Sequence, residues 1–407
     1  MKFNWKTFLL YASLITVGGG LVLILVKTVQ AKNTGFEIKT LWDWMDLFII
    51  PLVLAIGAFF LNRSESVVER QVAEDRAKLE RELATDRQQE AALQSYLDRM
   101  ADLLLKEKLL TTENEEVRNV ARTRTLTVLR GLDAIRKGIV IKFLYEAKLI
   151  NQENPIVELA GADLNGANLE NAVLEGVNLN HAELRNANLG EALLPYAILN
   201  NANLENAHLG NTNLYGASLT QALIKSANLT SVNLENANLS YASLQDADPH
   251  DSYLISSNLH MANLRSANLS RARMPHADLT HAILENANLE IAILDRAKLN
   301  WAKLRNARLY NASLVAAKLV DADLQSTDMR TADMFGADFN RANLQNANLQ
   351  SATLGGEIDI GVDLPGRKLQ DANLEGANLK GARVSYKELA LAKSLKGATM
   401  PDGTIHE

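Results

Sequence analysis

The stretch ADLNG-ANLEN-AVLEG-VNLNH, residues 162–181, restates an Ala-x-Leu frame every five residues, and that frame runs without insertion to Leu354. Over 39 such units the third residue, starting at Leu164, is Leu in 33, and the first, starting at Ala162, is Ala in 33. The exceptions are conservative in size. Val177, Thr212, Val232, Ser252, Ser257 and Thr327 replace Ala, and Ile224, Met274, Met329, Met334 and Phe339 replace Leu; only Pro249 is out of character. A period of five suits neither regular element. On an α-helix each Leu would step about 140° from the last, and on a straight strand an odd period would send successive leucines to opposite faces. Turning the chain once per unit removes the conflict. Ala and Leu then point inward, three positions point outward, and neighbouring coils pair in parallel.

Units such as Ala167-Asn168-Leu169, Ala202-Asn203-Leu204 and Ala347-Asn348-Leu349 resemble those of the pentapeptide-repeat family, over about half of the chain. The resemblance implies an all-β solenoid, a right-handed quadrilateral β-helix with four units to each coil. Two further stretches, Ala121 to Arg130 and Gly397 to Gly403, resemble segments common in cyanobacterial members of that family. With four units per coil, residues twenty apart stack at the 4.7–4.9 Å spacing of strands, and ten coils make a column of roughly 47 Å. One such column reads Arg185, Glu205, Lys225, Gln245, Arg265, Glu285, Arg305, its charges alternating in sign. Opposite charges facing across strands are favourable, though each exposed pair is worth less than about 1 kcal/mol. This column speaks for the register and marks no functional site.

The solenoid is preceded by an α-helical membrane and stalk region. Phe8 to Val26 is a charge-free run of 19 residues between Lys6 and Lys27, close to the ~20 needed to span hydrocarbon. Leu47 to Leu61 is a second, shorter run containing Pro51. Together they are expected to form a two-span hairpin over 1–62. Val29-Gln30-Ala31 offers the rival reading of a cleaved signal peptide, but an apolar run of 19 exceeds the usual 7–15. The two outer flanks together hold six basic residues against three in the short loop, which by the positive-inside rule favours a cytoplasmic location for the repeats. Residues 63–110 read as a polar helical stalk, with Val68, Val72, Leu79, Leu83, Leu93, Leu97, Met100 and Leu104 in 3- and 4-residue steps. Asp86 and Glu90 break that stripe, which argues against a strong dimeric coiled coil. The stalk either packs on its own chain or joins copies. Residues 111–157 read as a helical N-terminal cap, since a terminal coil exposes apolar interior and open sheet edges. The β-helix is placed at 158–384, and Ser385-Tyr386-Lys387-Glu388 has the pattern of a capping box opening a C-terminal helix and tail cap over 385–407.

Composition limits the function. No cysteine occurs, so neither disulfides nor thiolate metal sites exist. Net charge is -6, a poor match for direct nucleic-acid binding. No triad, phosphate-binding glycine loop or cofactor motif stands out, and an interior filled by Ala and Leu leaves no substrate pocket, so no enzyme, cofactor or metal is expected. His260 and His281 approach one another at this register, without a carboxylate as third ligand. The resemblance also implies one known activity, mimicry of DNA by acidic solenoids that bind DNA topoisomerases. Residues 155–295 carry 15 acids and 5 bases, a net of -10; B-DNA of equal length, roughly 34 Å, carries about 20 charges. That is half the density, so mimicry is the alternative and a membrane-tethered protein-interaction scaffold the first reading. Its candidate partner surface is the column Tyr241, Met261, His281, Trp301 with His260 beside it. A second candidate is a basic band of Arg296, Lys298, Lys303, Arg305, Arg308 and Lys318, uninterrupted by acids in sequence. Homo-oligomers through the stalk or the C-terminal cap are a further possibility.

Overall fold

The structure is a computed structural model that describes residues 41–150, 155–355 and 369–407. The chain divides into two compact units, Met1–Leu83 and Ala84–Glu407. Helix α1, Leu41–Leu105, runs without interruption through the boundary drawn from sequence near residue 62 and contains Pro51. In the first unit it exposes Ile49, Leu52, Val53, Leu54, Ile56, Phe59 and Phe60, and further along Val68, Val72, Leu79 and Leu83.

Among the described residues no helix is long and apolar enough to cross a membrane. The expected second span therefore needs correction. Leu47 to Leu61 is about 22 Å of helix at 1.5 Å per residue, bounded by Asp46 and Arg63, and hydrocarbon is ~30 Å thick. The first expected span, Phe8 to Val26, lies outside the described residues.

In the second unit three helical segments close the first coil. Leu93, Tyr96 and Met100 from the end of α1 are buried with Ala121 and Leu129 of α2 (Glu115–Gly131) and Val140, Ile141 and Leu144 of α3 (Ala134–Glu146). The Tyr96 and Thr125 hydroxyls meet at 2.9 Å inside this core. Asp86 and Glu90, the breaks in the apolar stripe, have a definite task. Both accept from Arg136 of α3, at 2.7 and 3.1 Å. Asn114 and Asp133 cap α2 and α3 by accepting from Glu116 and Arg136 backbone N–H groups, as short polar side chains do at helix starts.

Helix α3 lies directly on the open edge of the first coil. The Asn168 N–H donates to the Ala134 carbonyl at 2.8 Å. Lys137, nearly buried, reaches Asp163 Oδ1 at 3.1 Å and the Asn165 carbonyl at 3.0 Å. Gly138 is obligatory here, since a Cβ would sit 2.0 Å from the Asn168 carbonyl oxygen.

Beyond the cap, parallel bridges join residues twenty apart through coil after coil, from Asp163↔Glu183 to Asp333↔Thr353. This is the four-sided register. Leu204 N–H donates to the Leu223 carbonyl at 2.7 Å and Asn206 N–H to the Lys225 carbonyl at 3.0 Å, so Glu205 and Lys225 share one wall. Each wall ends in a turn closed by the Ala N–H on the preceding Leu carbonyl, as Ala202 on Leu199 at 3.0 Å. The residue just before that Ala has positive φ: Asn201 at 58°, Asn206 at 57°, Asn211 at 57°. Gly and Asn tolerate this left-handed region best, which accounts for their abundance there. Naming the walls by their first leucines, wall 1 starts at Leu164, wall 2 at Leu169, wall 3 at Leu174 and wall 4 at Leu179.

The Ala and Leu positions are buried throughout, and full burial of a Leu contributes ≈ 1.5–3 kcal/mol. Hydroxyl residues at Ala positions keep the interior satisfied by bonding turn carbonyls: Thr212 to Leu189 (2.7 Å), Ser252 to Pro249 (2.6 Å), Ser257 to Leu254 (2.8 Å) and Thr327 to Leu324 (2.8 Å). Pro249 has no N–H for the ladder, and Asp248 and Asn268 are joined by side chains at 2.8 Å.

Near the end the register changes. Asn343 pairs with Asn373 and Asn348 with Asn378, so this coil holds ten extra residues. The capping box opens α4 (Tyr386–Leu389) as expected, with Ser385 and Glu388 bonded reciprocally. Coiling does not stop near Val384, however. Asn373↔Ser394 and Asn378↔Thr399 add a partial coil at a spacing of 21, because α4 is absorbed within it, and Ile405 folds back antiparallel on Thr399.

Two outcomes test the N-terminal closure. Gly138→Ala should destabilise the second unit by more than about 2 kcal/mol, read by urea unfolding, since a backbone oxygen cannot step aside for a methyl. At Asp163 burial pushes the carboxyl up, but the Asn165 N–H and the Lys137 ammonium outweigh it and hold the group below its ordinary 3.8. A depressed carboxyl contributes stability above its ordinary pKa and loses it as pH falls through the lowered value. The stability difference between wild type and Asp163→Asn should thus be full at pH 6 and fade below pH ~3.8.

Candidate partner surface

Tyr241, Met261, His281 and Trp301 stand one above another at the corner where wall 4 passes into wall 1. Each occupies the turn position, with φ of 60°, 56°, 61° and 56°. Left-handed backbone is unusual for bulky residues and costs of order 1–3 kcal/mol at each site. Elsewhere on this corner the position holds Gly161, Asn201, Asp321 and Asp371, and the larger His181, Gln221 and Arg341. Four consecutive coils thus carry strained large side chains where Asn or Gly would do. Tyr241, Met261 and Trp301 are 52 %, 43 % and 48 % exposed, so burial does not offset that cost.

Ring contacts offset part of it. His260, half-buried on wall 4, lies edge-to-face with Tyr241 (centroids 5.8 Å) and with His281 (5.8 Å). His281 in turn stacks on Trp301 at 5.1 Å and 13°. Tyr241, His260, His281 and Trp301 are therefore one ring-to-ring array, a contact series that the sequence placed only as stacked positions, with Met261 at the turn between Tyr241 and His281. Each aromatic pair is worth ≈ 0.5–1.5 kcal/mol. Three pairs do not exceed four strained turns. Above Trp301 the corner ends in Asp321, which accepts two bonds from Arg341 at 2.7 and 2.5 Å; that guanidinium holds the Asp321 carboxyl below its ordinary range.

The basic band is corrected by the structure. Lys298 and Lys318 lie on wall 4, Lys303 and Arg305 on wall 1, Arg308 on wall 2, and Arg296 at the corner of walls 3 and 4. Consecutive units go round the column, so a run in sequence becomes a girdle. Acids arrive from adjacent coils: Asp278 pairs with Lys298 (3.3 Å), Asp323 with Arg305 (3.3 Å) and Glu290 with Arg308. In the charge ladder Arg185 meets Glu205 at 3.5 Å and Arg265 meets Glu285 at 2.5 Å.

Other surface pairs were legible at the same spacing but were not singled out. Arg273 lies over Tyr253 and Arg330 over Tyr310, each 5.4 Å from the ring centroid and each twenty residues apart. Tyr196 and Tyr215 meet at 5.5 Å. Among the described residues no group of three or more His, Cys, Asp or Glu is placed to hold a metal ion.

If the corner serves recognition and not folding, Trp301→Asn should leave thermal stability within about 1 kcal/mol of wild type, because relief of backbone strain compensates for the lost ring contact. A loss above about 3 kcal/mol would make the ring array structural.

The family described as Pentapeptide repeats matches in eight copies, within residues 157–194, 197–236, 233–271, 272–311, 292–330 and 317–356. HetL, a pentapeptide repeat protein involved in heterocyst differentiation regulation from the cyanobacterium Nostoc sp. strain PCC 7120, is 32 % identical, over 65 % of this chain and 98 % of its own, with a TM-score of 0.34. QnrB1, a plasmid-mediated fluoroquinolone resistance protein, is 16 % identical over 54 % of this chain and 93 % of its own, with a TM-score of 0.28. A pentapeptide repeat protein of the Arabidopsis thaliana thylakoid lumen is 27 % identical over 31 % and 79 %, with a TM-score of 0.18. No curated protein matches. With eight repeat copies in sequence and a twenty-residue register from Asp163 to Thr353 in space, this chain belongs to the pentapeptide repeat family and its repeats form that family's right-handed β-helix solenoid.

Proposed function

We propose that the protein is a non-catalytic interaction scaffold, held at a membrane by its N-terminal segment, whose solenoid offers the Tyr241–Trp301 corner to a protein partner. The observation that carries this reading is the strain retained there. Four bulky residues persist in left-handed turns on an exposed edge where folding alone favours Asn or Gly. Exposed aromatic and Met side chains are the types enriched at protein interfaces. The column interior, filled by Ala and Leu, supports a role carried by the outer surface alone. Membrane attachment is supported by the charge-free run Phe8 to Val26 and by the seven exposed apolar side chains between Ile49 and Phe60.

The DNA-mimic alternative has less support. Glu205, Asp251 and Glu285 are tied to Arg185, Arg271 and Arg265 across coils. Those bases interrupt the acidic surface, whose net charge density is half that of DNA.

A photoreactive residue in place of Met261 should give a discrete protein adduct in native membranes. A probe at Asn211, on the corner between walls 2 and 3, should not. Identical adducts from both positions, or an adduct unaffected by Tyr241→Ala with Trp301→Ala, would discard the corner as the contact surface. Recovery of the full chain in the carbonate-washed membrane pellet is the expected outcome for the tether.

A further inference from the structure

His260 and His281 bring two imidazoles together on an exposed corner whose next turn position holds Met261. The two imidazole rings have centroids 5.8 Å apart and cross at 85°. Met261 follows His260 directly and stands one coil from His281: its N–H bonds the Thr280 carbonyl at 3.0 Å, and the neighbouring His281 N–H bonds the Asn300 carbonyl at 3.0 Å. Met261 and His281 therefore leave the same corner from backbones about 4.8 Å apart. With metal–nitrogen bonds of about 2.0–2.1 Å, two imidazoles on one ion have centroids no more than about 6.4 Å apart. The observed separation falls inside that limit. Imidazole χ2 torsions are broad, and both rings lie at the surface, so a nitrogen of each can turn to a shared point.

The donor set selects the ion. It holds two imidazoles and one thioether, with no carboxylate and no thiolate. Hard cations such as Ca²⁺ and Mg²⁺ require oxygen ligands, and structural zinc sites complete four ligands. A thioether beside imidazole suits a soft, singly charged ion that needs no anionic ligand, and copper(I) is the biological case. The nearest charges on wall 4 do not oppose it, since Asp278 and Lys298 pair with each other at 3.3 Å. Trp301 stacks on His281, which steadies that ring and places an indole against the site.

We infer that His260, His281 and Met261 form a binding site for a soft monovalent metal ion, copper(I) in the cell. The sequence reading looked for a carboxylate as third ligand and so passed over the thioether next to His260. The site stands independently of any protein that meets the corner.

The full chain is titrated anaerobically with Cu(I) against a chromogenic chelator, and with Ag(I) as redox-inert probe while Trp fluorescence is followed. One equivalent should bind, with quenching of the emission that Trp301→Phe removes. His260→Asn with His281→Asn, residues that other coils carry at these positions, should weaken binding by at least about tenfold. Met261→Leu should weaken Cu(I) and Ag(I) binding by about tenfold or more. The inference is overturned if the double variant binds Cu(I) as wild type does, if Met261→Leu has no effect, or if neither ion competes with the chelator. Unchanged circular dichroism of the variants assigns a loss to the ligands; a changed spectrum is resolved by His281→Gln, which must show the same loss.

Discussion

The turn closed by each Ala N–H on the preceding Leu carbonyl is the constraint on which this molecule depends. Its last residue before Ala must enter the left-handed region, and that bend redirects the chain by a quarter of a circuit. Four such bends return the backbone to its starting point one strand spacing away, where the N–H after each outward residue finds the carbonyl nineteen residues on. Side chains that fill a corner, a wall or the core are then fixed by position within the unit. A single Pro at a Leu position leaves the column intact because the adjoining amides remain paired, as Leu254 with Arg273 at 2.7 Å. Substituted Ala sites survive for a related reason: every buried hydroxyl finds a turn carbonyl three residues back or one coil away.

The same geometry decides which charges matter. In a solenoid successive units in sequence lie on different walls, and many charge partners are eighteen to twenty residues distant, as with Arg308 and Glu290 or Arg271 and Asp251. The surface is thereby a mosaic of short-range pairs. Exposed pairs of this kind add little stability, yet they neutralise the acidic excess coil by coil and leave weak long-range fields. A partner recognised by such a surface must be read by shape and by local side-chain chemistry, which is what an aromatic corner supplies.

The register, the walls and the column Tyr241, Met261, His281, Trp301 were legible in the sequence because a strict period translates directly into stacking. What escaped was whatever depends on contacts outside the period. Asp86 and Glu90 looked like faults in an apolar stripe, and only the position of Arg136 on α3 shows them as ligands of one guanidinium. Gly138 was unremarkable until the first coil's Asn168 carbonyl was seen against it. The six bases from Arg296 to Lys318 formed a band in one dimension and a girdle in three. The end of the coiling at Val384 was misplaced because α4 interrupts the pentad without ending the ladder. The strain at the corner was also invisible, since sequence spacing gives position but no dihedral angle.

Strain and periodicity together separate surface that was kept from surface that merely exists. Most outward positions carry small polar residues whose conformational demands match the backbone, so their identity follows from the fold. Ile291, at φ 60° and 49 % exposed on another corner above Arg271 at φ 58°, shows that a short run of misfits is tolerated. A misfit repeated through four coils, with its rings in mutual contact, is a different matter, because each added bulky residue costs backbone energy that its neighbours recover only in part. Such an array persists when something outside the column rewards it. What such a ligand meets on this corner is exposed aromatic surface, a thioether and two imidazoles.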